Sequence, residues 1–321
     1  MRRYIAGRLL QSLVVVLLVA AASFFLAHLA PGGPFALDDS RITEAVRAHW
    51  RTQFGLDRPL PEQFGRFLLG LFRGELGYSF SRRAPVGNAL AAAIPRTLLL
   101  MGVALALSIG VGVALGVYQA VRRGRPTERV LNGVSLFFYS LPDFWLALMM
   151  LLAFSYWLPV FPAGGIIDAS VHEYLGFWGR VWDRLRHLVL PATSLALLTT
   201  AAIARYQRAA MLDVVELDFV RTARAKGLPE RSVVGRHALR NALLPVITLI
   251  GLALPALVGG AVFVETVFSW PGMGRLAAEA IAARDYPLIT ATVAVGGVTV
   301  TLGSLLADVL YALADPRVRV R

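Results

Sequence analysis

The chain has 321 residues, 57% hydrophobic and 16% charged, against roughly 25% charged in a soluble domain, so lipid or partner helices must take up its long apolar runs. It has no cysteine, which excludes disulfides, thiolate metal sites and a cysteine nucleophile. The formal charge of +12 would point to nucleic acid in a soluble protein, but in a membrane protein Lys and Arg collect in cytoplasmic loops and must first be sorted by side.

The first apolar run, Leu9 to Ala30, holds 22 residues, about 33 Å of helix against a hydrocarbon core of about 30 Å. Arg2, Arg3 and Arg8 precede it, and it exceeds the apolar core of about 7 to 15 residues of a cleavable signal, so it reads as a retained anchor. From Pro31 to Arg96 the chain turns polar and forms a small extramembrane region. Within it Thr43 to Phe54 suits an amphipathic helix, and PGGP at 31 to 34 with the glycines at 70, 74 and 77 should break the chain. Five more spans follow at Leu98 to Tyr118, Val130 to Trp157, Leu188 to Ala210, Leu243 to Val264 and Pro287 to Tyr311. The expected fold is an all-α membrane protein of six spans, divided into the first span (1–30), the extramembrane region (31–96) and a five-helix core (97–321).

Six spans put both termini on one side. If that side is the cytoplasm, the inner segments hold 18 basic residues against 6 acids, counting Asp315 at a span end, while the outer segments hold 14 against 12. This asymmetry favours cytoplasmic termini.

No G-x-x-x-x-G-K-[ST] phosphate loop occurs, so an energy source must lie in another chain. His28, His49, His172, His187 and His237 are scattered without ligand spacing, and there is no G-x-S-x-G elbow, so neither a metal nor a catalytic residue is expected. Asp143, after Pro142, is the clear mid-span acid; it either lines a pathway or bonds to a neighbouring helix or to backbone freed by the proline. Pro191, Pro245 and Pro255 lie in or beside spans, as bending points or plain kinks. Glu265 and Asp308 fall near span ends, where an interface or a loop should solvate them.

The segment Arg205 to Arg240 is too long for a turn and too charged for lipid. Gly227 with Pro229 should stop one helix, and Glu230 to Leu239 can start another. Composition alone allows two roles for such a pair, docking a partner or resting on anionic head groups.

The stretch DFVRTARAKGLPERSVVGRHALRNALLP, 218 to 245, resembles the cytoplasmic coupling loop of binding-protein-dependent ABC importer permeases of the dipeptide and oligopeptide branch. The wider family's loop reads E-A-A-x3-G-x9-I-x-L-P. Gly227 stands at its glycine, Ala223 at the second alanine and Leu239 at the leucine, whereas Arg221, Thr222, His237 and Arg240 replace its glutamate, first alanine, isoleucine and proline. The R-T-A-R-A-K-G-L core is similar to the peptide branch's own version. The opening RYIAGRLLQSLVVVLLVAAASFFLAHLAPGGP, with Gly33 for the usual aspartate, then IPRTLLL, LPDFWLALMMLL, LVLPATSLAL, VETVFSWPGMGRL, RDYPL and DVLYALADPRVR extend the resemblance in order across nearly the whole chain.

The resemblance implies half of a translocation pathway for di- or oligopeptides, in a bacterial or archaeal cytoplasmic membrane. Its implied partners are a homologous second permease, two ATP-binding subunits that hold ATP and Mg, and an extracytoplasmic solute-binding protein, with no cofactor in this chain. Within the same type, nickel chelates or another small solute are alternative cargoes; an ion-driven secondary transporter is the competing class and would show further buried ionisable pairs. Asp218, Arg221, Arg224, Lys226 and Arg236 are implied polar contacts to an ATPase, within a coupling set that adds Thr222, Ala223, Ala225, Gly227, Leu228 and Leu239. The outer region 31–96 and the SWPGMG loop at 269–274 are expected to receive the binding protein.

Overall fold

The computed structural model describes residues 2–29, 52, 57–253 and 261–314. Helix α1 (Arg2–Leu29) is followed by α2 (Leu60–Arg73), a hairpin of β1 (Tyr78–Ser79) and β2 (Ala84–Pro85), and α3 (Val86–Val121). Helices α4 (Pro126–Ser140), α5 (Asp143–Trp157, its second half a π-helix) and α6 (Phe177–Val215) come next. Two short helices, α7 (Asp218–Ala225) and α8 (Glu230–Ala242), precede α9 (Leu244–Ala253), α10 (Val262–Val267), α11 (Met273–Ala282) and α12 (Tyr286–Ala314).

The centre of the molecule is the pair α3 and α6, the most extensive helix contact. On α3 the buried residues Ala104, Ser108, Gly112 and Gly116 recur every fourth position and make a stripe of small side chains. On α6 they meet Ala196, Thr200, Ile203, Ala204 and Gln207, all buried. A Cβ on Gly116 would lie 2.6 Å from the Cβ of Gln207, so a side chain there would force the helices apart. Ser108 Oγ donates across the seam to the Ala196 carbonyl at 3.2 Å. Helix α6 runs through Pro191, and the hydroxyls of Thr193 and Ser194 donate back to the Val189 and Leu190 carbonyls beside it.

Among the described residues, four helices are long and apolar enough to cross a membrane: Leu10–Leu29, Val86–Val121, Phe177–Val215 and Tyr286–Leu305. The third expected span, 130–157, is not one straight helix. It breaks at Leu141 and Pro142, and α4 and α5 meet at 104°. The cause is local, since the residue before a proline is pushed out of the α region, and Leu141 sits at φ −79°, ψ 140°. Counting this pair as one span, and the apolar α9, which follows α8 at a bend of 43°, as part of another, gives six. Of the fifth expected span, 243–264, residues 254–260 with Pro255 lie outside the described residues, as do PGGP, most of Thr43 to Phe54 and the side chain of Asp308.

Gly70 does not break the chain as expected. It is buried inside α2, where the chain turns back so closely that a Cβ would lie 2.5 Å from the Glu75 carbonyl oxygen. The break comes at Gly74 and Gly77, both at positive φ. Helix α2 then packs an aromatic face on α1, with Phe24 against Phe64 and Phe67 at ring separations of 5.3 and 5.6 Å.

Candidate coupling loop

Two short helices and a bend occupy the charged segment, as the glycine and proline required. At the end of α7 the Gly227 amide donates to the Arg224 carbonyl at 2.9 Å and the Leu228 amide to the Ala223 carbonyl at 3.4 Å. This is a Schellman closure, and its left-handed residue is Gly227 at φ +74°. Pro229 then caps α8 at φ −60°. Nothing lies within 4 Å of a Cβ built on Gly227, so its requirement is conformational and not spatial.

The loop has two faces. Val220 and Ala223 of α7 are buried with Val233, Ala238 and Ala242 of α8, Met211 of α6 and Ala120 of α3. Leu239 is half-buried in the same cluster. On the other face Asp218, Arg221, Thr222, Arg224, Ala225, Lys226, Leu228 and Arg236 are exposed. Phe219 joins them at 41% exposure, an apolar residue that the charge pattern hid. Arg224 fastens the bend, donating from Nη2 and Nε to the two Glu230 carboxylate oxygens at 2.8 and 3.3 Å. These bonds hold the Glu230 carboxyl below its usual range and raise the Arg224 guanidinium above its own. Asp218 pairs with Arg221 at 3.6 Å on the exposed side.

Asp143 is not at mid-span depth within one helix. It opens α5 at the 104° bend, where Oδ1 accepts from the amide of Phe144 at 2.8 Å. Nearby on the chain, the Tyr139 ring lies under the Arg205 guanidinium at 5.1 Å, on the wall of a cavity of about 280 Å³ lined also by Ala202, Tyr206 and Ala209.

Residues 112–320 match the model of the binding-protein-dependent transport system inner membrane component family, and residues 1–101 match that of its N-terminal membrane component. The chain belongs to this family of membrane permeases. It is 39% identical over 320 residues to an oligopeptide transport system permease protein of Bacillus subtilis, covering 99% of each chain. It is 41% identical over 324 residues to a putative peptide permease protein of Brucella ovis, covering both chains fully, and 38% identical over 333 residues to a di/tripeptide transport system permease protein of Pseudomonas aeruginosa, covering 99% of each.

The permease also carries buried acids, among them Glu265, which was expected to be solvated near a span end. Glu265 is fully buried: Thr97 Oγ1 donates to one oxygen and the Arg275 amide to the other, both at 2.9 Å. Gly272 and Gly274 wrap this carboxylate, for a Cβ on either would lie 2.6 or 3.1 Å from its oxygens. Trp270 is fully buried as well and donates from Nε1 to the Arg96 carbonyl at 3.0 Å. The SWPGMG loop is therefore packed onto α3, with Ser269 its one exposed residue. Asp285, 1% exposed, accepts from Ser79 Oγ at 2.6 Å, the Ser81 amide at 3.0 Å and Ser81 Oγ at 2.7 Å, tying the β hairpin to the start of α12. Asp183, 9% exposed, brings two of the scattered histidines together, with His172 Nδ1 2.6 Å from Oδ2 and His187 Nδ1 3.3 Å from Oδ1. Nothing in the sequence near Glu265 marks it as buried, because the donor Thr97 lies 168 positions away.

Proposed function

We propose that this permease is the transmembrane subunit of an ATP-driven importer and forms half of a translocation pathway for di- or oligopeptides. Both termini face the cytoplasm of a bacterial or archaeal cell. Its partners are a homologous permease, two ATP-binding subunits that carry ATP and Mg, and an extracytoplasmic solute-binding protein. The observation that carries the reading is the two-faced loop: an apolar side seated on the ends of α3 and α6, and a charged side left open around a bend that only glycine accepts without strain. The peptide cargo is supported by the relatives, whose names describe permeases for oligopeptides and for di- and tripeptides.

In this reading Asp218, Arg221, Thr222, Arg224, Ala225, Lys226, Leu228 and Arg236 meet the ATPase, with Phe219 as an apolar anchor. Ala223, Leu239 and Gly227 act from behind, by packing and by setting the bend. Closure of the ATPases moves α7 and α8 together, and the spans above follow because the loop's core is continuous with α6. Asp143, at the break between α4 and α5, is the proposed pathway residue. The extramembrane region over 31–96, out of which α3 rises from Val86, receives the binding protein, and 97–321 forms the core.

Purification of the tagged chain from its native membrane tests this reading. Two ATP-binding subunits and a second permease are expected in the complex, and vesicles containing it should take up peptide only with ATP and the binding protein. A chain purified alone that moves solute on an ion gradient would overturn the proposal.

A further inference from the structure

Above the coupling loop, α3, α4 and α6 share a polar layer that neither the loop's docking face nor the proposed pathway uses. Glu128, in the first turn of α4, is 6% exposed. One of its oxygens accepts from Arg208 Nη2 of α6 at 2.7 Å and the other from the Gly124 amide at 3.2 Å. Beside it, Gln119 of α3 and Gln207 of α6 are fully buried, and Gln119 Nε2 reaches Ser135 Oγ of α4 at 3.5 Å. Among the described residues, both amide atoms of Gln207, Gln119 Oε1 and Arg208 Nε are buried without a protein partner. Unmet buried polar atoms are destabilising, so an apolar layer would pack more stably here.

Its place explains why it is polar. Met211, one turn further along α6, is fully buried in the cluster that seats Val220, Ala223 and Val233 of the loop. Arg123 also reaches Glu216, at the end of α6, at 3.5 Å. The polar layer is thus the first contact between the loop's seat and the broken span, and it reaches α4 through a charge pair. Apolar surfaces slide past one another at little cost, whereas separating the buried Glu128 carboxylate from the Arg208 guanidinium, itself partly exposed, leaves a charge in the interior unpaired. A pair of this kind makes α4 follow α6.

We infer that the Glu128–Arg208 pair, flanked by Gln119 and Gln207, is a strut that makes α4 move with α6 when the coupling loop is displaced, so that loop movement reaches the 104° break at Leu141 and Pro142. These are positioning residues. The inference rests on the importer reading, and the test keeps the two apart.

The chain has no cysteine, so Glu128→Cys with Arg208→Cys places the only two thiols in it. In the complete importer in vesicles, the uncrosslinked double variant is expected to lose at least about tenfold in peptide uptake while ATP hydrolysis stays within about twofold of the native rate. Joining the two thiols with a short bismaleimide should restore most of the uptake, because a covalent tie replaces the ion pair. Glu128→Gln, which keeps the shape, should show the same split between uptake and hydrolysis. Native uptake by the uncrosslinked variant, uptake abolished by the crosslink, or hydrolysis falling in step with uptake would each overturn the strut. Failure of the native chain to carry ATP-binding subunits through purification would overturn the importer reading and the strut with it.

Discussion

The coupling loop at 216–243 and the segment at 261–285 use charged residues in opposite ways. In the loop the packed side is wholly apolar, built on Val220, Ala223, Val233 and Ala238, and its charges stand exposed around the bend. In 261–285 the carboxylates of Glu265 and Asp285 are inside, Glu265 held by Thr97 of α3 and the Arg275 amide of α11, and Asp285 by Ser79 and Ser81 of the β hairpin. The first arrangement leaves a rigid body with a free polar surface, which suits a part that another protein must grip. The second pins separate stretches of chain together and leaves little to grip. Charge at the edge of a span therefore has no single meaning, and burial decides between contact and construction.

The comparison breaks most visibly if Glu265 is dispensable. Glu265→Ala leaves the Thr97 hydroxyl proton and the Arg275 amide without an acceptor, although Thr97 Oγ1 still accepts from the Met273 amide at 2.7 Å, and is expected to cost about 3 kcal/mol, read as a clear fall in the thermal midpoint of the purified complex, with Glu265→Gln milder. An unchanged midpoint would contradict a structural role. Asp285→Asn weakens three contacts to Ser79 and Ser81 and should cost about 1 to 2 kcal/mol, with faster proteolysis around 78–85 as its local signature.

On the loop side the same class of change should matter far less for stability. Arg224→Ala removes a pair that is about half exposed and should cost under about 1 kcal/mol. The pair also has a pH signature. The Glu230 carboxyl lies below its ordinary 4.5, so the stability it contributes is present above that pH and is lost as the pH falls through the lowered value. Arg224→Ala should erase this acid dependence of the loop's hydrogen exchange while leaving the rest of the chain unchanged.

The apolar spans were legible because a window of about 20 apolar residues has few other uses. Helices α3, α6 and α12 contain the stretches expected of them, and α1 contains the first as far as Leu29. The loop was legible for a different reason, since Gly227 and Pro229 act on their own backbone and need no knowledge of the fold. What failed was what depends on partners distant in the chain. Glu265 meets Thr97 across 168 positions and Asp285 meets Ser79 across 206, so nothing near either acid distinguished a buried ligand from a solvated end. His172 and His187 are a different case, since Asp183 stands only 11 and 4 positions from them, but their spacing matches no metal-ligand pattern and so drew no attention to the acid. The run 130–157 is apolar on both sides of Pro142, so hydropathy alone does not reveal the bend at Leu141 and Pro142.

The central claim is that the loop transmits movement, and Gly227→Pro tests it most directly. Proline fixes φ near −65°, whereas Gly227 sits at +74°, so the closure between α7 and α8 is lost while the cluster beneath retains its side chains. The account predicts that the ATP-binding subunits still co-purify and hydrolyse ATP while peptide uptake falls below about a tenth of the native rate. Native uptake by this variant would contradict the account.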